Sequence, residues 1–292
     1  MGLPFAFWKS SALTPIVYLL DAYGGASGAY SLRKLSASTT NVIRVRRSSD
    51  NTEQDFTPLG ITDGTLTTFT GSGHGFVSIW YDQSGNGFNA SQTTASNQPE
   101  LVSSGSLILQ NGKPAVYTSG SKNLNTGLVS IGTSGDISLD FFSVQNNTSS
   151  GNSYHLTGFS DHTSTTDRRR VFCFAKDSSS TKSVGLFGGN IVYSSSDSGQ
   201  LLFNTNYQGG GGAFDSRING NSLSVNSFGN SGLNIQASSG FMLLCGNSVT
   251  PYLASTDYRI KGYVQEAIFY LNDQTTNRTG IETNINTEYT IY

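Results

Sequence analysis

The stretch WYDQSGNG at residues 80–87 decides the fold assignment, because in it a strand runs directly into a turn. The residues that lead into it, FVSIWY at 76–81, are aromatic and β-branched, as strand residues usually are. Asp82 and Asn86 carry side chains that accept hydrogen bonds from the N–H groups of their own turn, and the two glycines tolerate a positive φ. The sequence therefore predicts a self-capped corner at the end of a strand.

The same corner has a second interpretation as a cation site. Asp82, Ser84 and Asn86 lie at alternate positions and present oxygen atoms, which are the ligands that calcium prefers. We favour the structural interpretation, so we expect no metal and no other cofactor, and calcium stays the alternative. Zinc is not expected, because neither Cys173 nor Cys245 has a second cysteine or a histidine at ligand spacing.

Outside the corner, short strand-like runs with alternating or β-branched and aromatic residues, bounded by Gly, Asn or Ser, recur along the chain. They are 43–47, 106–110, 137–144, 170–175, 200–204, 240–245 and 263–271. This spacing, without a βαβ rhythm, predicts antiparallel sheets packed face to face. Two short helices are expected as well. One covers AYSLRKL at 29–35, and the other lies in the tail, where Ile281, Ile285 and Tyr289 recur at helical spacing as one apolar stripe.

The composition favours an all-β chain and excludes several classes of protein. Ser 44, Thr 30, Asn 24 and Gly 34 make up about 45% of the 292 residues, and these are poor helix formers, so a helical bundle is excluded. The net charge is −2, and the 17 Lys and Arg form no long basic run, so no nucleic-acid partner is expected. No apolar run reaches the length of a transmembrane segment.

We expect one sandwich domain over residues 16–292, preceded by an N-terminal arm at residues 1–15. The arm carries Phe5, Phe7 and Trp8 ahead of the first strand-like segment. Burial of three aromatic side chains is worth several kcal/mol at about 25 cal/mol per Å² of area removed from water. The arm is therefore predicted to anchor the chain to sister copies or to a larger particle.

Three stretches carry a resemblance to known proteins: LDAYGGASGAYSLRKL at 20–35, VRRSSDNTEQDF at 45–56 and WYDQSGNGFNASQTTASNQPELV at 80–102. They resemble the concanavalin A-like, laminin-G-like modules of bacteriophage virion proteins. Their order and the YDQSGNG core are also similar to the catalytic domain of family 54 α-L-arabinofuranosidases. The ending at 266–289 resembles the last strand and terminal helix of laminin-G-like domains. The resemblance implies an all-β, concanavalin A-like antiparallel β-sandwich, a jelly roll with a short C-terminal helix.

The resemblance to the arabinofuranosidases also implies a catalytic pair, a glutamate nucleophile in mid-domain and an aspartate acid in a late loop. A glycosidase needs two such carboxyl groups about 5 to 10 Å apart. None of the five glutamates lies between residues 101 and 265, and the late loop at 244–248 reads LCGNS. We therefore expect a non-enzymatic protein that hydrolyses neither arabinofuranosides nor other aryl glycosides.

The expected function is structural, as a spike, fibre or capsid decoration on the exterior of a bacteriophage virion. The expected partners are other virion proteins, sister copies in a homo-oligomer, and host surface glycans. Asp161, His162 and Asn247 are the residues expected to contact a glycan by hydrogen bonds. The alternative is a secreted protein, either an arabinofuranosidase-like glycoside hydrolase or a carbohydrate-binding module.

Deletion of residues 1–12 tests the role of the arm. We expect the shortened chain to fold and stay soluble but to lose assembly, because three aromatic side chains no longer bury surface between copies. Analytical ultracentrifugation of the full and shortened chains measures the difference. Equal assembly of the two chains contradicts the prediction.

Overall fold

A computed structural model describes residues 16–120, 122–127, 129–148, 157–160, 170–173, 182–186, 192–193, 199–210, 214–223, 237–243 and 260–292. The strands are β1 Gly28–Ser31, β2 Ile43–Arg47, β3 Glu53–Phe56, β4 Gly75–Trp80, β5 Ala90–Ser91, β6 Glu100–Ser103, β7 Ser106–Leu107, β8 Leu109–Gln110, β9 Lys113–Pro114, β10 Val116–Gly120, β11 Leu124–Asn125, β12 Val129–Ser130, β13 Leu139–Asn147, β14 Thr157–Ser160, β15 Arg170–Cys173, β16 Lys182–Leu186, β17 Val192–Tyr193, β18 Leu201–Tyr207, β19 Phe214–Ile218, β20 Asn221–Ser222, β21 Ser238–Leu243 and β22 Ile260–Tyr270. The helices are α1 Leu19–Ala22, α2 Pro58–Thr62, α3 Thr65–Thr70 and α4 Arg278–Tyr289, with a 3-10 turn at Ala95–Asn97.

The strands form two antiparallel layers. The first layer, here named the helix-side sheet, has the order β3-β2-β4-β6-β10-β22-β13-β18-β19-β20, and β1 pairs with β22 on the same edge as β10. The second layer, the cover sheet, has the order β5-β11-β21-β14-β15-β16-β17. Pairing of β4 with β5 links the layers. The prediction of an all-β antiparallel sandwich with a short C-terminal helix is confirmed.

An aromatic core joins the two layers. Phe241 of β21 packs on Phe269 of β22 with ring centroids 4.6 Å apart, and on Tyr30 of β1 at 6.3 Å. Trp80 is fully buried beside Tyr30, edge-on at 6.5 Å. Gly28 lies beneath the ring of Phe241, where a Cβ atom would meet a ring carbon at 2.9 Å. The core therefore needs a glycine at the start of β1.

Helix α4 covers the opposite face of the helix-side sheet. Ile281, Ile285 and Tyr289 are buried against Phe142 of β13 and Ile268 of β22. Strands covered on both faces are buried at almost every residue, as β22 is from Val264 to Tyr270. The predicted apolar stripe of the C-terminal helix is thus confirmed. None of the helices in the described part of the chain has the length and apolar character that a bilayer crossing requires.

The helix predicted over residues 29–35 is wrong. Its first residues belong to β1, which pairs with β22 from Gly28↔Phe269 to Ser31↔Glu266. All four residues of β1 are buried, so pairing and packing with distant strands override the local helix propensity. Two short helices, α2 and α3, were not predicted from the sequence, although Thr57 caps the first of them and its first residue is a proline.

The corner at residues 80–87 holds the free edge of β1. Asp82 Oδ1 accepts hydrogen bonds from the backbone N–H groups of Ala29 and Ser84, both at 2.9 Å. Asp82 Oδ2 accepts from Ser84 Oγ at 2.7 Å and from the N–H of Phe88 at 3.1 Å. Both carboxylate oxygens are therefore used, one of them by a strand 53 residues away in sequence.

Two amide side chains of the corner bind the same segment. Gln83 Oε1 accepts from the N–H of Leu35 at 2.8 Å, and Gln83 Nε2 donates to the carbonyl oxygens of Ser31 and Arg33. Asn86 Nδ2 donates to the carbonyl oxygens of residues 26 and 27 at 3.2 and 3.1 Å. The corner and residues 26–35 thus form one hydrogen-bonded unit.

Replacement of Asp82 tests this unit. We expect Asp82→Ala to lower the free energy of unfolding by about 2 kcal/mol, because buried N–H groups lose their acceptor. Asp63→Ala is the matched control, since the exposed Asp63 accepts from a single neighbouring residue, Thr65, and should cost less. Denaturant unfolding measures both. EGTA should leave the melting temperature unchanged, and a drop on its addition would support the calcium alternative.

Candidate functional site

The glycan contacts predicted from the sequence fall outside the described residues. This applies to Asp161, His162 and Asn247, and equally to Phe5, Phe7 and Trp8 of the arm. All of them stay predictions.

The three residues of the calcium alternative are brought together in the corner. Asp82 accepts from Ser84, and Asn86 Nδ2 donates to Ser84 Oγ at 3.1 Å. Their polar atoms bind one another and the neighbouring backbone, which is the arrangement of a structural turn. Within the described ranges, no group of three His, Cys, Asp or Glu residues could hold a metal ion.

A buried ion pair lies where β1, β22 and α4 meet. Arg33 donates from Nε to Glu266 Oε2 at 2.8 Å and from Nη2 to Oε1 at 2.9 Å. Ser31 Oγ and Tyr289 Oη also donate hydrogen bonds to Glu266 Oε2, at 2.8 and 3.1 Å. The Glu266 side chain is 1% exposed, and burial raises the pKa of Tyr289, which stays a neutral donor. Glu266 therefore has full compensation for its charge and serves as an anchor of the fold.

A groove of about 540 Å³ opens above this ion pair, between α1 and α4. Its lining includes Tyr23, Arg33, Thr283, Asn284 and Glu288. Arg33 Nη1 donates to Asn284 Oδ1 at 2.8 Å, and Glu288 is paired with a lysine at 2.8 Å. The walls present hydroxyl, amide and charged groups, so the groove is suited to a polar ligand held by hydrogen bonds.

Asp140 is a buried carboxyl group on β13. It is 1% exposed, and it accepts hydrogen bonds from Asn204 Nδ2 at 2.5 Å and Asn206 Nδ2 at 2.8 Å. Burial raises its pKa to about 7, although the two amide bonds act in the opposite direction. A pKa near neutrality is typical of a general acid, but Asp140 has no access to an external ligand.

Asp215 on β19 is more open, with its side chain 32% exposed. Its Oδ2 accepts from Arg217 Nε at 3.1 Å and Arg278 Nη1 at 2.8 Å. Two guanidinium groups therefore hold this carboxylate by hydrogen bonds and ion pairs. Asp215 is a described carboxylate within reach of solvent.

Sequence reasoning missed the ion pair of Arg33 and Glu266 and the groove above it. The available signal was a glutamate inside the apolar run YVQEAIFYL at 263–271, since a charged residue in a buried strand is rare unless it is paired. Its partner lies 233 residues earlier in the chain. No local pattern connects the two.

The fold defines a class, the antiparallel β-sandwich on which several glycosidases are built. No protein-family model and no curated protein matches the chain. A GH54 α-L-arabinofuranosidase soaked with a cyclic sulfate inhibitor has a TM-score of 0.63 and 18% identity, over 89% of this chain and 62% of that chain. An arabinofuranosidase complexed with arabinofuranosyl-α-1,2-xylobiose gives 0.62 and 18%, over 91% and 64%. Trypanosoma rangeli sialidase with 2,3-difluorosialic acid gives 0.52 and 10%, over 87% and 34%.

These likenesses show the fold and correct one prediction. The predicted β-sandwich is confirmed by its likeness to these structures. The virion interpretation gains no support from them. The prediction of a non-enzymatic protein is contradicted by these three structures, which are enzymes and match this chain over 87% to 91% of its length. That prediction depended on the lack of two carboxylates, a mid-domain glutamate and a late-loop aspartate. The late loop at 244–248 lies outside the described residues.

The buried carboxyl of Asp140 generates a pH-dependence prediction. Its pKa is about 7 in the folded state and 3.8 as the ordinary value, so the folded chain binds the proton more tightly. The resulting stabilisation is complete below pH 4 and is lost as the pH rises through 7. Denaturant unfolding at pH 5 and pH 8 should show this loss, and Asp140→Asn should reduce it. Asp136→Asn is the control, and an equal slope in both variants contradicts the assignment.

Proposed function

We propose that this chain acts on carbohydrates as a glycoside hydrolase of the arabinofuranosidase type. One observation carries the proposal: the likeness to a GH54 α-L-arabinofuranosidase extends over 89% of this chain at a TM-score of 0.63. The chain spans 62% of the length of that enzyme, so the proposal concerns a hydrolase domain. The polar groove between α1 and α4 adds a place on the described surface where a glycan can be held.

The chain's own carboxylates restrict the mechanism. Hydrolysis of a glycoside requires a carboxylic acid and a carboxylate on opposite sides of the scissile bond. Residues 101–265 contain no glutamate but eight aspartates. Aspartate performs the same proton transfer and nucleophilic chemistry as glutamate, with a side chain one methylene shorter. We therefore assign the catalytic pair to aspartates, with Asp161, Asp197 and Asp215 as the first candidates.

The exterior of a virion and partnership with sister copies stay proposals about location and assembly. In that setting the N-terminal arm fixes the domain to the particle and the sandwich faces host surface glycans. A secreted protein is the alternative. Deletion of the arm separates the two, because a secreted hydrolase keeps its activity and its oligomeric state without it.

Hydrolysis of 4-nitrophenyl α-L-arabinofuranoside tests the proposed activity. We expect the full chain to release 4-nitrophenol, and Asp→Asn at a catalytic position to lower kcat by roughly 100-fold or more, the usual contribution of a positioned acid or base. Asp161→Asn, Asp197→Asn and Asp215→Asn are compared with the control Asp63→Asn, which alters an exposed helix start. A folded wild-type chain without turnover on this substrate or on arabinoxylan contradicts the proposal.

A further inference from the structure

The outer face of the helix-side sheet carries a row of side chains that crosses four strands. We name it the aromatic strip and define it by His74, Glu100, Tyr117, Lys122 and Tyr263. Tyr117 of β10 is paired with Tyr263 of β22 and, on its other side, with Glu100 of β6. On the far side, Glu100 is paired with Phe76 of β4, and the His74 ring stacks on the Phe76 ring with centroids 6.0 Å apart. Three strand spacings give the strip a length of about 14 Å.

The two tyrosines point away from the sandwich core. Their neighbours Val116 and Val264 are fully buried in the core between the layers, and successive residues of a strand alternate between faces. The tyrosine rings lie side by side with centroids 5.0 Å apart and a tilt of 39°. Both residues are half-buried, so each ring is supported from below and open on its outer side. Burial raises the pKa of Tyr117, which keeps its hydroxyl as a neutral donor.

Polar groups of the strip have unused hydrogen-bonding capacity. Within the described residues, the hydroxyls of Tyr117 and Tyr263 make no hydrogen bond, and the Lys122 ammonium lies over the Phe76 ring at 4.8 Å without an ion-pair partner. Glu100 Oε1 contacts His74 Nδ1 at 2.5 Å, and in the part of the chain that the structure describes no protein atom hydrogen-bonds Glu100 Oε2 or His74 Nε2.

Two arginine side chains of β2 on the same sheet are, by contrast, hydrogen-bonded within the protein. Arg46 donates to Gln98 at 2.7 Å, to Asn51 at 2.7 Å and to a backbone carbonyl at 3.3 Å. Arg44 donates twice to Asp55. The guanidinium groups of Arg44 and Arg46 are thus tied into the fold.

We propose that the aromatic strip binds a neutral polysaccharide chain, as a surface separate from the groove between α1 and α4. The proposal rests on the carbohydrate-related function proposed above. The C–H face of a sugar ring is apolar and packs on an aromatic ring, while its hydroxyls are donors and acceptors for the open groups around it. Lys122 and Arg46 lie over the Phe76 ring beside the Glu100 carboxylate, so charges of both signs lie along the strip and form no field of one sign that would favour a polyanion. Its length across four strands fits an extended chain.

Affinity electrophoresis of the full chain in gels that contain soluble arabinoxylan tests the strip. We expect the wild-type chain to be retarded, and Tyr117→Ala with Tyr263→Ala to weaken binding at least tenfold, which corresponds to 1.4 kcal/mol. Tyr117→Phe with Tyr263→Phe keeps the rings and should retain most of the affinity. Tyr292→Ala is the control, since Tyr292 is 54% exposed and lies outside the strip. Circular dichroism confirms that each variant is folded.

Each outcome has a definite consequence. Equal retardation of the wild type and of the folded double alanine variant overturns the proposal that the strip binds polysaccharide. Absence of retardation of the wild type in arabinoxylan overturns it as well. Tighter binding to heparin than to arabinoxylan also overturns it, because heparin is a polyanion. Turnover of 4-nitrophenyl α-L-arabinofuranoside is measured on the same proteins. The small substrate does not need the strip, so an alanine variant that keeps its turnover but loses its retardation supports the role of the strip. Retardation of the wild type without turnover contradicts only the hydrolase proposal.

Discussion

The rest of the structure depends on how the short strand β1 satisfies its backbone on both edges. On one edge it forms an antiparallel ladder with β22. On the other, Ala29 donates its N–H to Asp82 and its carbonyl accepts from the N–H of Gln83, so the corner takes the place of a neighbouring strand. A fully buried strand cannot leave these groups unpaired, because each would cost as much as a lost hydrogen bond. The segment 26–35 and the corner at 80–87 are therefore held together by one set of backbone and side-chain hydrogen bonds.

A second constraint, the charge of Glu266, ties the C-terminal helix to the same place. A carboxylate inside a sheet covered on both faces is unfavourable unless it is paired, and here Arg33 and Ser31 reach it from the β1 region while Tyr289 reaches it from α4. The ion pair thus joins the beginning and the end of the domain. It also forms the base of the groove between α1 and α4, so a fold-stabilising interaction sets the chemistry of a candidate site.

The sequence was informative where the determining interactions are local. The corner follows from turn chemistry within eight residues, and the stripe of Ile281, Ile285 and Tyr289 follows from helical spacing. Residues 29–35 were misassigned because their pairing partner lies about 235 residues later, and local propensity says nothing of it. The ion pair and the aromatic strip were missed for the same reason. Tyr117, Tyr263 and Glu100 come from three separate segments and meet only through strand register.

The position of a carboxylate in the sequence does not determine whether it can take part in catalysis. The expectation of a non-enzymatic protein assumed that a nucleophile must be a glutamate in mid-chain. A glycosidase requires two carboxyl groups at a certain separation and in certain protonation states, and either aspartate or glutamate meets that requirement. In this fold Asp140 and Asp215 differ sharply in burial and partners, although both are aspartates of one sheet, and burial raises the pKa of Asp140 to about 7. Environment, more than residue type, decides which carboxylate can act as an acid and which as a base. The absence of a glutamate between residues 101 and 265 therefore limits the identity of a catalytic pair without excluding one.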